Sequence, residues 1–212
     1  FCWQHFAYFP QKVTQTKKVV LRKRYWLYYA LQFMGGARRQ IFVVFAAFLM
    51  VEKFEFSVGA ISLLLLANAA INVTLAPKIG RLIHKFGERR SLIFEYVGLA
   101  FIFVGYAVVE SSTFAVFLYI ADHIFFSIAI ALKTYFQKIA DPADIASSAG
   151  VSFSINHIAA VFIPVIFGLI WLYSPSLVFL AGAGMAVLSL FLALNMPAKP
   201  AAGNEVLLGK FT

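Results

Sequence analysis

Six apolar runs, broken only by isolated polar residues, dominate the chain: about Tyr25 to Met50, Ser57 to Ala76, Ser91 to Val109, Thr113 to Leu132, Ser148 to Tyr173 and Ser176 to Asn195. At ~1.5 Å of rise per residue, a helix of about twenty residues crosses the ~30 Å apolar core of a bilayer. Backbone polar groups find no water there, so a spanning segment must pair them within itself, as a helix does. The pattern therefore predicts an all-α fold, a polytopic membrane protein built as a six-transmembrane-helix bundle.

The stretches between the runs carry a sign. Arg38 and Arg39 lie inside the first run and Lys53 sits in the short connection after it, with Glu52 and Glu55; the other fifteen of the eighteen Lys and Arg fall on one side if the runs cross in turn. Positive charge beside a span resists translocation, so that side is expected to be cytoplasmic, with both ends of the segment inside. Within the runs, Gly35-Gly36 precedes the two arginines, Asn68 and Asn72 share a face of the second run, and Pro77 is expected to close it. The fourth run holds Asp122-His123. The fifth is small and polar at its start (Ser148, Gly150, Ser152, Ser154, Asn156, His157), with Pro164 beyond, where a kink is tolerable.

Composition narrows the class. Hydrophobic residues make up 62% of the chain and charged ones 13%, against about 25% charged in soluble domains. A net charge of +9 raises the question of nucleic acid, but the cations sit in connections and form no continuous basic helix, so membrane lipid is the expected partner and nucleic acid is not. Cys2 is the only cysteine, which excludes a disulfide framework and a cysteine metal site; no metal or cofactor is expected. A membrane enzyme would need clustered ligands or a nucleophile. The chain has no His-x-x-x-His, His-Glu-x-x-His or Gly-x-Ser-x-Gly, and no enzymatic activity is expected.

Between the second and third runs lies a basic connection, Lys78-Ile79-Gly80-Arg81-Leu82-Ile83-His84-Lys85-Phe86-Gly87-Glu88-Arg89-Arg90. It resembles the signature loop of the major facilitator superfamily of secondary transporters, Gly-x-x-x-Asp-Arg/Lys-x-Gly-x-Arg/Lys-Arg/Lys. Gly80, Lys85, Gly87, Arg89 and Arg90 match at the same spacing, and His84 stands where the family has Asp. In that family the motif joins the second and third helices of each six-helix half, as it does here. The resemblance covers about residues 25–196 and implies the carboxyl-terminal half of a twelve-helix transporter. It further implies an amino-terminal half as partner, a cavity between halves, alternating access and a small-molecule substrate, in a membrane expected to be the bacterial inner (cytoplasmic) one. On this reading residues 1–24 are a central cytoplasmic linker, 25–196 the transmembrane half and 197–212 a loosely ordered cytoplasmic tail. The start at Phe1, without an initiator Met or signal-peptide pattern, is read as that of a piece of a longer chain; Phe1 to Pro10 suit either the tail of a preceding helix or an interfacial segment.

Depth selects the candidate site residues. Arg38, Arg39, Asn68, Asp122, His123, Asn156 and His157 all fall about half-way along their runs, where secondary transporters place substrate and coupling-ion sites. Helical phase puts Arg39 with Gln32, Gly35, Gly36 and Val43, and Arg38 with Leu31, Met34, Ile41 and Phe42, which makes Arg39 the better cavity-facing candidate. Two roles stay open for Asp122: a proton-coupling carboxylate, or a fixed partner of an arginine. Asn68, Asn156 and His157 could touch substrate or tie helices together. The resemblance also implies gating through the cytoplasmic charge cluster of Gly80, His84, Lys85, Gly87, Arg89 and Arg90, with Glu95 as a candidate partner of the two arginines; from spacing alone, snorkelling of Glu95 to the interface is equally open. Ion- (proton-) coupled transport of a small solute by alternating access is the expected function; a non-transporting receptor or scaffold with the same fold is the alternative.

Overall fold

The computed structural model describes residues 21–209, and within them six helices are long and apolar enough to cross a membrane. We label them α1 (Lys23–Phe54), α2 (Val58–Phe86), α3 (Glu88–Val108), α4 (Ser112–Ile139), α5 (Ile145–Trp171) and α6 (Pro175–Leu194). The expected features of the chain's first residues, including Cys2 and Phe1 to Pro10, lie outside the described residues.

Two boundaries differ from the expected ones. Pro77 does not end α2, which runs through it to Phe86. Proline removes one backbone donor, and here the turn around it is braced by side chains: Thr74 Oγ1 donates within reach of the Ala70 and Ile71 carbonyls, and Arg81 Nε donates to the Pro77 carbonyl at 3.4 Å. Most of the signature segment is therefore helix. Only Gly87 interrupts it, with a φ of 83° that a side chain would disfavour, turning the chain from α2 into α3. The fourth helix also outruns its apolar stretch. After a 3₁₀ turn at Ser127–Ala129 it resumes as Ile130–Ile139 and carries Lys133 and Lys138 on helix rather than loop.

Gly35-Gly36 leave α1 helical, but directly after Arg38-Arg39 the helix widens to a π-helical stretch over Ile41–Ala46 before resuming as Ala47–Phe54. Such insertions shift the helical phase and concentrate at functional positions. Pro164 likewise lies inside an unbroken α5.

Packing orders the helices. α3 packs along α6 and α1 along α5, with α4 closing the bundle. One core cluster gathers Phe42, Phe45, Phe103, Tyr106, Tyr119 and Phe179; a second joins Tyr25, Tyr28, Tyr96, Tyr135 and Phe136 toward the end where the chain enters. Close approach is set by small residues: a Cβ on Gly98 of α3 would fall 2.0 Å from the Phe125 ring of α4. By contrast α2 buries only Asn68 and Ile83, leaving most of its apolar surface uncovered by protein.

The entering end is tied by charge. Arg22 donates to both Asp144 oxygens at 2.9 and 3.0 Å, Tyr25 Oη donates to the same carboxylate at 3.4 Å, and the Asp141 amide donates to Tyr25 Oη at 3.0 Å. The Asp144 hydrogen bond raises the Arg22 guanidinium further above its already high value, so the cation is permanent. At the opposite end Lys53 Nζ meets Glu110 at 3.0 Å and Trp171 Nε1 donates to Glu52 at 2.8 Å.

The tail is not loose over its described part. Residues 197–209 fold back on the bundle: Trp26 Nε1 donates to the Gly209 carbonyl at 3.0 Å, Tyr135 Oη to the Glu205 carbonyl at 2.5 Å, and Asn195 exchanges two hydrogen bonds with Leu208. Val206 and Glu205 are buried. Val206 is 2% exposed and packs with the core cluster that includes Tyr25 and Tyr135.

Candidate functional site

The residues expected to converge separate into three groups. The first surrounds a cavity of about 660 Å³ between α1, α4 and α5, lined by Gln32, Gly36 and Arg39 from α1, Lys133 from α4, and Asn156 and His157 from α5. Polar groups meet here because Gly36 admits α5 closely; a Cβ on it would come within 2.6 Å of Asn156 Oδ1. The Arg39 guanidinium lies 5.7 Å from the Phe126 ring centre, a distance at which the ring face attracts a cation. His157 Nδ1 lies 2.9 Å from the Phe153 carbonyl, with the two rings 3.9 Å apart. A carbonyl only accepts, so Nδ1 carries the hydrogen of this contact. The cavity wall holds two cations, the side-chain amides of Gln32, Gln40 and Asn156, and an imidazole. No carboxylate lines it.

Lys133 escaped the sequence reading because it follows the apolar run and looks like a loop residue. Helix continuation through the 3₁₀ turn is what turns it to the cavity wall. Its spacing of seven from Phe126, which also lines the cavity, was the available signal.

The second group is buried between helices. Arg38 is 2% exposed; its Nη1 donates to Ser189 Oγ of α6 and its guanidinium sits 4.7 Å from the centre of the Tyr96 ring. Arg38 is the positive neighbour of both Glu95, which is fully buried, and Asp122, which is 1% exposed. Neither carboxylate makes an ion pair within 4.0 Å, and their four oxygens, like Tyr106 Oη, have no hydrogen-bond partner among the described residues. Asp122 does not line the Arg39 cavity. It is not in a fixed ion pair with an arginine either.

The third group lies where α2 crosses α4. Asn68 and His123 line a narrow crevice there with Asn72 and Ser127; the Ser127 hydroxyl is 2.6 Å from Asn72 Oδ1 and 2.8 Å from the His123 carbonyl. His123 packs 5.6 Å from the Phe42 ring. The adjacent pair Asp122-His123 thus serves two different surroundings, because neighbours on a helix point about 100° apart.

The signature segment forms a further surface. Gly80 stands in the open on α2, and His84 and Lys85 are exposed on its last turn. Arg89 Nη2 donates to the Leu194 carbonyl at the end of α6 at 2.8 Å, and Glu88 is bound by Lys138 of α4 at 2.6 Å. Glu95 takes no part in this cluster: two turns further along α3, it is buried beside Arg38 rather than Arg89 or Arg90.

Six apolar helices packed around buried charge and a polar cavity define an integral membrane protein of the helical-bundle class. A model of the Major Facilitator Superfamily matches residues 10–208, so the chain belongs to that family of membrane transporters. Neither curated proteins nor solved structures gave a match to the chain.

Proposed function

We propose that the chain is the carboxyl-terminal half of a secondary transporter that moves a small anionic or hydrogen-bond-accepting solute by alternating access, driven by protons. The observation that carries the reading is the lining of the cavity: Arg39 and Lys133 with Asn156 and His157, and no carboxylate to oppose an anion. Its volume suits a small molecule. The uncovered helices support a second half. Only 6% of the most apolar window of α2 and 17% of that of α5 are buried within the bundle, against 39% or more in the other four, so α2 and α5 form the face for an amino-terminal six-helix partner. The concentration of Lys and Arg supports cytoplasmic ends, in a membrane we take to be the bacterial inner one.

Proton coupling falls to the buried group. Two carboxylates face one guanidinium, which leaves one negative charge to be offset in a dry site, and a proton can offset it. Asp122 takes the coupling role and Glu95 shares it through Arg38. The test is uptake of a panel of small anions into proteoliposomes holding the whole protein, with and without an imposed pH gradient, for wild type and Asp122→Asn. Gradient-driven uptake that the substitution abolishes, with exchange surviving, supports the reading; accumulation that persists in the variant removes Asp122 from coupling, and absence of flux for any solute favours a receptor or scaffold.

A further inference from the structure

A site of different character lies at the α2–α3 turn, away from the transport cavity. An apolar groove of about 320 Å³ is walled by Leu82, Phe86 and Phe94, with Arg90 at one end. A second recess of about 470 Å³ shares Phe86 and Arg90 with it and adds Arg89 and Lys199. The two adjoin at Phe86 and Arg90, giving a depression that is apolar on the α2–α3 side and basic where the folded-back tail meets the turn.

The charge there is unbalanced. The acidic residue nearest in sequence, Glu88, is buried and held by Lys138 at 2.6 Å, and no carboxylate lines either recess. Arg90 has no ion pair or side-chain hydrogen bond among the described residues, while Arg89 spends one donor on the Leu194 carbonyl and keeps its others. Lys199 is carried by an ordered segment: its own carbonyl accepts from Asn204 Nδ2 at 3.0 Å, and Asn204 pairs with Ala201. Phe86 and Phe94 are about half exposed, at 48% and 56%.

We propose that this depression seats an anionic phospholipid, its phosphate against Arg89, Arg90 and Lys199 and one acyl chain along Leu82, Phe86 and Phe94. A cluster of cations at the end of membrane helices attracts acidic headgroups. The neighbouring groove selects a lipid over a soluble anion, because a free phosphate gains nothing from apolar walls. The absence of a lining carboxylate selects an acidic headgroup over a zwitterionic one, whose ammonium would find no partner. Such a lipid joins the tail, the α2–α3 turn and the end of α6 through one phosphate.

The test uses the whole purified protein in detergent, titrated with dioleoyl phosphatidylglycerol, dioleoyl phosphatidylcholine or inorganic phosphate, and read by native mass spectrometry and thermal unfolding. One retained phosphatidylglycerol with a raised melting temperature is expected, without a comparable effect of phosphatidylcholine. The Arg90→Gln/Lys199→Gln variant should bind it roughly tenfold or more weakly. Arg90→Lys/Lys199→Arg, which keeps the charges and serves as the folded control, should retain binding, and Leu82→Glu should lose it through the groove. Equal retention of the two lipids, undiminished binding in both the Gln and Glu variants, or the same stabilisation by phosphate alone would overturn the proposal.

Discussion

Gly36 of α1 lies against Asn156 of α5 so closely that a Cβ at position 36 would stand 2.6 Å from Asn156 Oδ1 and 3.4 Å from the Ala159 methyl. The contact links helix packing to the chemistry of the cavity, since the atom that must yield is the polar end of a cavity-lining side chain. Gly36→Ala should therefore turn the Asn156 amide with little loss of stability, and raise KM for the transported solute more than it lowers the maximal rate. Gly36→Leu cannot be absorbed by one rotamer; it should separate α1 from α5 and cost about 1–3 kcal/mol. Gly35→Ala meets nothing within 4 Å and serves as the control for stability. Thermal unfolding and uptake kinetics on the three variants check the order.

The cavity makes a second prediction through Lys133. If Arg39 and Lys133 both hold an anionic solute, replacing either by Gln removes one charge without altering the apolar walls. Each substitution should weaken solute binding by roughly tenfold, the worth of a charge-assisted hydrogen bond in a partly hydrated site. Substrate-dependent quenching of tryptophan fluorescence, or isothermal titration of the purified protein, measures this directly. Unchanged affinity in both variants would move the substrate site off this wall.

Much of this architecture could be read from the chain alone, and the misses share a cause. Span number and order follow from hydropathy, because a bilayer demands about twenty apolar residues and tolerates few charges. Helical phase parted Arg38 from Arg39, since adjacent positions differ by about 100°. Partners across helices were out of reach: nothing in the neighbourhood of Glu95 says that its cation comes from α1 rather than from Arg89 six residues away. Pro77 and Lys133 misled for a related reason. Proline and lysine are usual helix ends by composition, yet here Thr74 and Arg81 brace one turn and the helix simply outlasts its apolar run at the other.

Asp144, in the connection between α4 and α5, anchors the segment by which the chain enters α1. It takes two hydrogen bonds from Arg22 and one from Tyr25, while Arg24 approaches to 3.5 Å. Asp144→Asn keeps the shape and removes the charge. Because Arg22 is half exposed, water screens the pair, and the melting temperature should fall by no more than roughly 2–4 °C at low salt. The difference should shrink toward zero at about 1 M salt, where the Debye length is about 3 Å. A loss that is independent of salt would instead assign the role of Asp144 to hydrogen-bond geometry.

The sharpest contrast is expected around Arg38. It is 2% exposed, offsets two buried carboxylates, and bonds Ser189 on α6. Arg38→Gln would strand Glu95 and Asp122 in a dry interior, and removing one partner of a buried charge cluster costs about 3–5 kcal/mol. Ser189→Ala, which takes away one hydrogen bond and no charge, should cost only about 1 kcal/mol. Glu95→Gln and Asp122→Asn should each be tolerated in the wild-type background, because two acids share one cation and losing one relieves the excess. The same two substitutions should rescue Arg38→Gln in part, giving a favourable coupling energy in a double-mutant cycle. Additive losses would mean that Arg38 stabilises the bundle by packing on Tyr96 and bonding Ser189, with the carboxylates held by other means.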